Sequence, residues 1–144
     1  MGAKTAADIA GLEFDWLASD ADGHVALFST AGGGYAPDGF LRDTERHDVA
    51  IGAILAHPES TSARFAPELA PGLKNTWRMV AERGLFAFDA DCNGGPYNLV
   101  AAPETPARLT ELPMEAGRVA GAMKLPHLRF AHAAVLSEDD IRNI

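Results

Sequence analysis

The sequence predicts an α+β fold: a mainly antiparallel sheet built from two hairpins and a C-terminal strand, with helices packed on one face. Three observations carry that prediction. Residues 14–29 read as strand, acidic turn and strand. Residues 85–101 read the same way, with LFAFD and YNLVA on either side of a glycine-rich loop. Between them His47, Ile51, Ile54 and Leu55 recur at helical spacing. The 144 residues suit a single globular domain, 1–144, and no composition shift marks a boundary inside it.

Taken in order, residues 1–11 are Ala-rich and read as a frayed terminus or a brief lead-in helix. Phe14, Trp16 and Ala18 alternate with Asp15, Leu17 and Ser19, the period of a strand. Asp20-Ala-Asp22-Gly23 turns the chain, because aspartates bond their own backbone and glycine accepts positive φ. Val25, Leu27 and Phe28 resume a strand that is apolar on both faces. Gly32-Gly33-Gly34 stops it, since consecutive glycines cost backbone entropy and pack nothing.

A helix is expected from about Phe40 to Ala56, with acidic Asp43 and Glu45 near its start and Pro58 beyond its end. Residues 59–72, with Pro67 and Pro71, read as a loop. Leu73, Trp77, Val80 and Ala81 share a face of a short helix that Gly84 closes. After the second hairpin, Arg108 to Thr110 reads as a short edge segment. Ala116, Val119, Ala120 and Met123 mark a helix over 112–123 with Pro113 in its first turn. Leu128, Phe130, His132 and Ala134 alternate as the final strand, and Ser137 with Asp140 nearly matches a capping box for a last turn.

Composition narrows the function classes. Twenty acidic residues against 12 basic give a net charge of −8, a surface that disfavours nucleic acid and suits a basic protein partner. No run is long enough to span a membrane, and the N-terminal MGAKTAADIAG lacks the apolar centre of a secretory signal. The single cysteine, Cys92, precludes an intrachain disulfide and fits a reducing, cytoplasmic setting.

Two acidic loops are candidates for chemistry. Asp20 and Asp22 beside His24 place two carboxylates and an imidazole at a hairpin tip, a donor set for a divalent ion or an acid–base pair. A tight turn needs the same residues for geometric reasons. Asp89, Asp91, Asn93 and Gly94 match the first half of an EF-hand loop, but Val100 stands where its bidentate Glu belongs and a strand precedes it. If both loops met at one end of the sheet, Asp20, Asp22, Asp89, Asp91 and Asn93 would form one metal site.

Other motifs fall short of a signature. The Gly32–Gly34 run lacks the Gly-Lys-Ser/Thr of a phosphate loop, and Ser29 lacks a nucleophile elbow. Cys92 has acidic neighbours that disfavour a thiolate. The five histidines form no zinc motif, and His47, on an apolar helix face, reads as a hydrogen-bonded core residue. No catalytic residue is assigned. The residues expected to meet a partner are His24 at the first tip and Gly32, Gly33, Gly34 and Tyr35 at the exit of the hairpin. Gly117 and Gly121 would permit a homodimer contact.

Several of these segments together resemble small bacterial proteins of the immunity type, which neutralise polymorphic toxins. The resemblance rests on Asp15-Trp16, Asp20, Gly23-His24, Phe28-Ser29-Thr30, Gly32-Gly33, Gly84 to Asp89 and Pro96-Tyr97. It spans about a third of the chain, in turn and core residues, and implies fold rather than catalytic groups. The sequence is therefore read first as a cytosolic protein-binding module, an immunity-type inhibitor of a basic toxin. The alternatives are a small metal-dependent or hydrolytic enzyme using the aspartate loops, and a regulatory or structural protein.

Overall fold

The computed structural model describes residues 3–65, 75–142 and 144. Its elements in chain order are α1 (Ala6–Ile9), β1 (Asp15–Asp20), β2 (Val25–Ser29), α2 (Asp38–Leu41), α3 (Thr44–Ala56), β3 (Ala63–Phe65), α4 (Thr76–Ala81), β4 (Phe86–Asp91), β5 (Gly94–Pro103), α5 (Met114–Ala122), β6 (Lys124–Leu125), β7 (Val135–Leu136) and α6 (Glu138–Ile141). Pro67, Pro71, Leu73 and Lys74, read above as loop and helix start, lie outside the described residues.

The fold is α+β, with several helices on a mostly antiparallel sheet ordered β3-β5-β4-β2-β1-β6, and β7 also pairing with β5. The two expected hairpins are its centre: β1 pairs antiparallel with β2, and β4 with β5. They join through a parallel pairing of β2 with β4, and a second parallel pair sets β6 on the end of β1. A parallel neighbour needs a crossover connection, and α3 and α4 supply it.

Period-2 alternation divides the core. Leu17, Val25, Leu27, Ala87 and Ala101 point to the face carrying α3, α4 and α5, where they meet Ile51, Ile54, Val80 and Val119. Trp16, Phe28, Phe86 and Phe88 point to the opposite face, covered by the short α1, α2 and α6 through Ile9, Phe40 and Ile141. Helices therefore cover both faces: the expected one-sided packing holds for α3, α4 and α5, while the short helices close the other face because its aromatic side chains also need burial.

Three local readings change. The helix expected over 40–56 is broken at Asp43, whose carboxylate accepts from the Arg46 N–H (3.2 Å) and caps a new helix, α3. The second hairpin closes with only Cys92 and Asn93 at its tip, where Asp91 pairs with Gly94, instead of a longer loop. The C-terminal strand is β7, Val135–Leu136; Leu128 to Ala134 instead holds a 3₁₀ turn at Phe130–His132. A long-range bond from Phe130 to Asp20 bends that segment.

Candidate metal centre

β1 ends at Asp20, the chain turns through Ala21, Asp22 and Gly23 (φ 76°), and β2 follows. Asp20 is fully buried, so its charge must be met by protein donors. Its Oδ1 accepts from the backbone N–H groups of Asp22 and His24, each at 2.9 Å. Its Oδ2 accepts from the Phe130 N–H at 2.8 Å. One carboxylate therefore shapes the turn and ties it to a segment 110 residues away.

Asp22 and His24 complete the tip. The Asp22 side chain is 35% exposed and faces Arg129 Nε at 3.9 Å, while Arg108 Nη1 donates to the Asp22 carbonyl (3.1 Å). The His24 ring lies 6.1 Å from Phe86, and its Nδ1 is buried with no hydrogen-bond partner among the described residues. One ligand atom each from Asp20, Asp22 and His24 lies within 4.8 Å of the others. These residues can coordinate a divalent metal. Two carboxylates and an imidazole suit Zn²⁺, Mn²⁺ or Fe²⁺ better than Ca²⁺, which takes six to eight oxygens. The orphaned Nδ1 fits such a group, because it is a buried ring nitrogen, able to ligate when deprotonated, that no described residue bonds.

The second acidic loop does not join this centre. β2 and β4 run parallel, with Ala26 beside Phe86 and Ser29 beside Asp89, so the first tip precedes β2 and the second follows β4. At about 3.3 Å per residue, the span from Val25 to Ser29 alone separates the two ends by roughly 13 Å. Asp89, Asp91 and Asn93 therefore cannot share an ion with Asp20 and Asp22. Asp91 caps its own turn instead, accepting from the Asn93 N–H (2.8 Å).

Asp89 belongs to a different constellation. Asp15, Ser29 and Asp89 are register partners across β1, β2 and β4 and point to the same face. Ser29 Oγ donates to Asp15 Oδ1 (2.7 Å) and accepts from Trp77 Nε1 (3.1 Å). With Glu13 and Asn75 they border a cavity of about 230 Å³. Burial, then the charges of Glu13, Asp15 and Asp91, push Asp89 up to about 6. Burial also raises Asp15, against the lowering effect of the Ser29 hydroxyl. Asp89 thus holds a proton in the folded state that the unfolded chain has already released, and that contribution to stability is lost as pH rises through about 6.

The glycine run sits at this same end, away from His24. A Cβ on Gly33 would stand 2.5 Å from the Cys92 carbonyl oxygen, and one on Gly34 2.5 Å from Ala90 Cβ. The run lets the chain pack against the second hairpin, and Tyr35 is half-buried with its carbonyl accepting from Tyr97 Oη (2.6 Å). Gly33→Ala is expected to cost about 1–3 kcal/mol, read as a lowered urea midpoint, because the atoms its Cβ would meet, the carbonyl oxygens of Cys92 and Asp91 (2.5 and 2.6 Å), are backbone. Gly117 likewise approaches the Leu109 carbonyl (2.9 Å to a built Cβ), whereas Gly121 has nothing within 4 Å.

Sequence reasoning missed Arg108, Arg129, Ser29 with Trp77, and the Phe130 amide as neighbours of acidic groups. All lie far along the chain from the groups they touch, and no local pattern marks them. Asp15 did carry a signal: it is a carboxylate on the strand face it shares with the buried Leu17 and Ser19. Among the described residues no helix is long and apolar enough to cross a membrane. Comparison of the chain with protein-family models, with curated proteins and with solved structures finds no match in any of the three.

Proposed function

We propose that this chain binds a divalent metal ion at Asp20, Asp22 and His24, and that a metal-dependent activity, hydrolysis included, is centred on the first hairpin tip. The observation that carries the reading is the convergence of three ligand atoms within 4.8 Å, one from an imidazole whose Nδ1 is buried and unpartnered among the described residues. Three protein ligands leave coordination positions open, as catalytic sites do. A bound ion would supply Lewis acidity and a water of lowered pKa. The backbone donors on Asp20 serve as the outer shell that orients a ligand.

Isothermal titration of the full chain with Zn²⁺ and Mn²⁺ tests this. One site per chain is expected, weakened at least about tenfold by His24→Ala and by Asp22→Asn. Arg129→Gln should tighten binding a few-fold, since its guanidinium competes for Asp22, although exposure and salt moderate the gain. Absence of binding at millimolar metal would end the reading.

A second reading is supported by the charge of −8: a cytoplasmic bacterial protein of the immunity type that covers a basic protein partner. The lone, exposed Cys92 is compatible with a reducing compartment. Affinity purification at low and high salt discriminates, because a charge-driven partner is recovered only at low salt.

A further inference from the structure

Among the described residues β1 has a strand neighbour along its whole length on one side only. On its outer side β6 reaches no further than Ser19 and Asp20. The outer edge of β1 is therefore held in part by bonds to groups outside any strand. The Ser19 N–H donates to the Met123 carbonyl, and its hydroxyl donates to the Ala120 carbonyl (2.8 Å). The Leu17 N–H donates to Nδ1 of His47 at 3.0 Å. Of these acceptors only the imidazole can gain a proton.

His47 is 3% exposed on α3, with the Phe40 ring edge-on at 5.0 Å. Accepting at Nδ1 places its single proton on Nε2, so the neutral ring is the form the fold requires. A second proton would occupy the lone pair that holds Leu17, leaving a buried amide and a buried cation facing one another. We propose that His47 is an acid-operated latch: protonation of its imidazole releases the outer edge of β1 from α3.

The surroundings decide when the latch opens. The small cavity beside the ring is bordered by Arg42 after α2, by Asp43 and Arg46 of α3, and by Val119, Ala122 and Met123 at the end of α5. β1 presents the Leu17 amide to the ring itself, and the residues of α5 that border the cavity carry no titratable group. Burial lowers His47 from its ordinary 6.5 to about 4, with Asp43 pulling it up and Arg46 pushing it down. The unfolded chain takes the proton first as pH falls. The latch's contribution is thus complete above about 6.5, declines below it, and is gone once pH passes about 4.

Two-dimensional NMR of the full chain from pH 7.5 to 3.5 reads the latch directly. The His47 ring nitrogens should report the Nε2–H tautomer and titrate near pH 4, well below an ordinary histidine. The Leu17 amide shift should move with the same midpoint, and its hydrogen-exchange protection should fall at least about tenfold through it, relative to intrinsic rates. Asp89 titrates near 6 and is separated by following its own carboxyl resonance. In His47→Gln, a neutral acceptor that cannot be protonated, Leu17 should stay protected through the same range. A His47 midpoint above about 6, or a Leu17 amide still protected after His47 has titrated, overturns the proposal. These readouts need only the native chain, so they stand even if the variant fails to fold.

Discussion

Replacing Asp20 with alanine is expected to destabilise the protein by about 3–5 kcal/mol, measured by urea unfolding in the presence of a chelator. The residue is fully buried, and its two oxygens accept three backbone N–H bonds, from Asp22, His24 and Phe130. Truncation leaves these donors without their acceptor, the Phe130 N–H in a buried setting and the two turn amides in a partly buried one. Each charge-assisted bond is worth more than a neutral one, and a stranded donor loses about 1–3 kcal/mol. Asp20→Asn should fall between. Its carbonyl can keep the two turn bonds, but its amide then faces the Phe130 N–H, donor against donor. Chelator matters because it separates this effect from any loss of metal. A cost below about 1 kcal/mol for the alanine variant would show that the turn holds without the buried carboxylate.

Phe28→Ala is expected to cost a similar amount, about 3–5 kcal/mol, through a cavity at the centre of the larger aromatic cluster. Phe28 is completely buried. Its ring stacks on Trp16, with centroids 4.1 Å apart and planes 9° apart, and on Phe88 at 5.2 Å and 12°. Tyr97 and Phe130 meet it edge-on at 5.2 and 6.0 Å. No single neighbour can collapse into the space, because β1 and β4 hold Trp16 and Phe88 in register on either side. Phe28→Leu should recover part of the loss. The near-ultraviolet circular dichroism of Trp16 should change in both variants, and an unchanged spectrum with an unchanged urea midpoint would refute the stack as a source of stability.

The two hairpins were legible because each is local. Alternation from Phe14 to Ser29 and the Asp-Ala-Asp-Gly turn are short-range signals, and they place β1 and β2 to within a residue or two. The helical face of His47, Ile51 and Ile54 was legible for the same reason, and all three are buried. Leu128 to Ala134 misled, since alternation over seven residues also fits a 3₁₀ turn that buries Phe130 and exposes His132. Its conformation follows from a bond to a residue at the other end of the chain. The candidate metal centre was half legible. Asp20, Asp22 and His24 are adjacent in sequence and in space, whereas Arg108 and Arg129, which border them, come from elsewhere.

By itself the sequence determined the α+β class, the strands of the two hairpins and the tip that carries Asp20, Asp22 and His24. These depend on side-chain period and turn chemistry, which act over a few residues. Only the tertiary structure decided that β2 and β4 run parallel, which sends the two acidic loops to opposite ends of the sheet and joins Asp89 to Asp15 and Ser29. It also decided that Gly33 and Gly34 serve an internal contact, and that His47 closes the edge of β1. Strand pairing between distant segments is set by how two apolar faces are covered at once, and no local pattern encodes that choice.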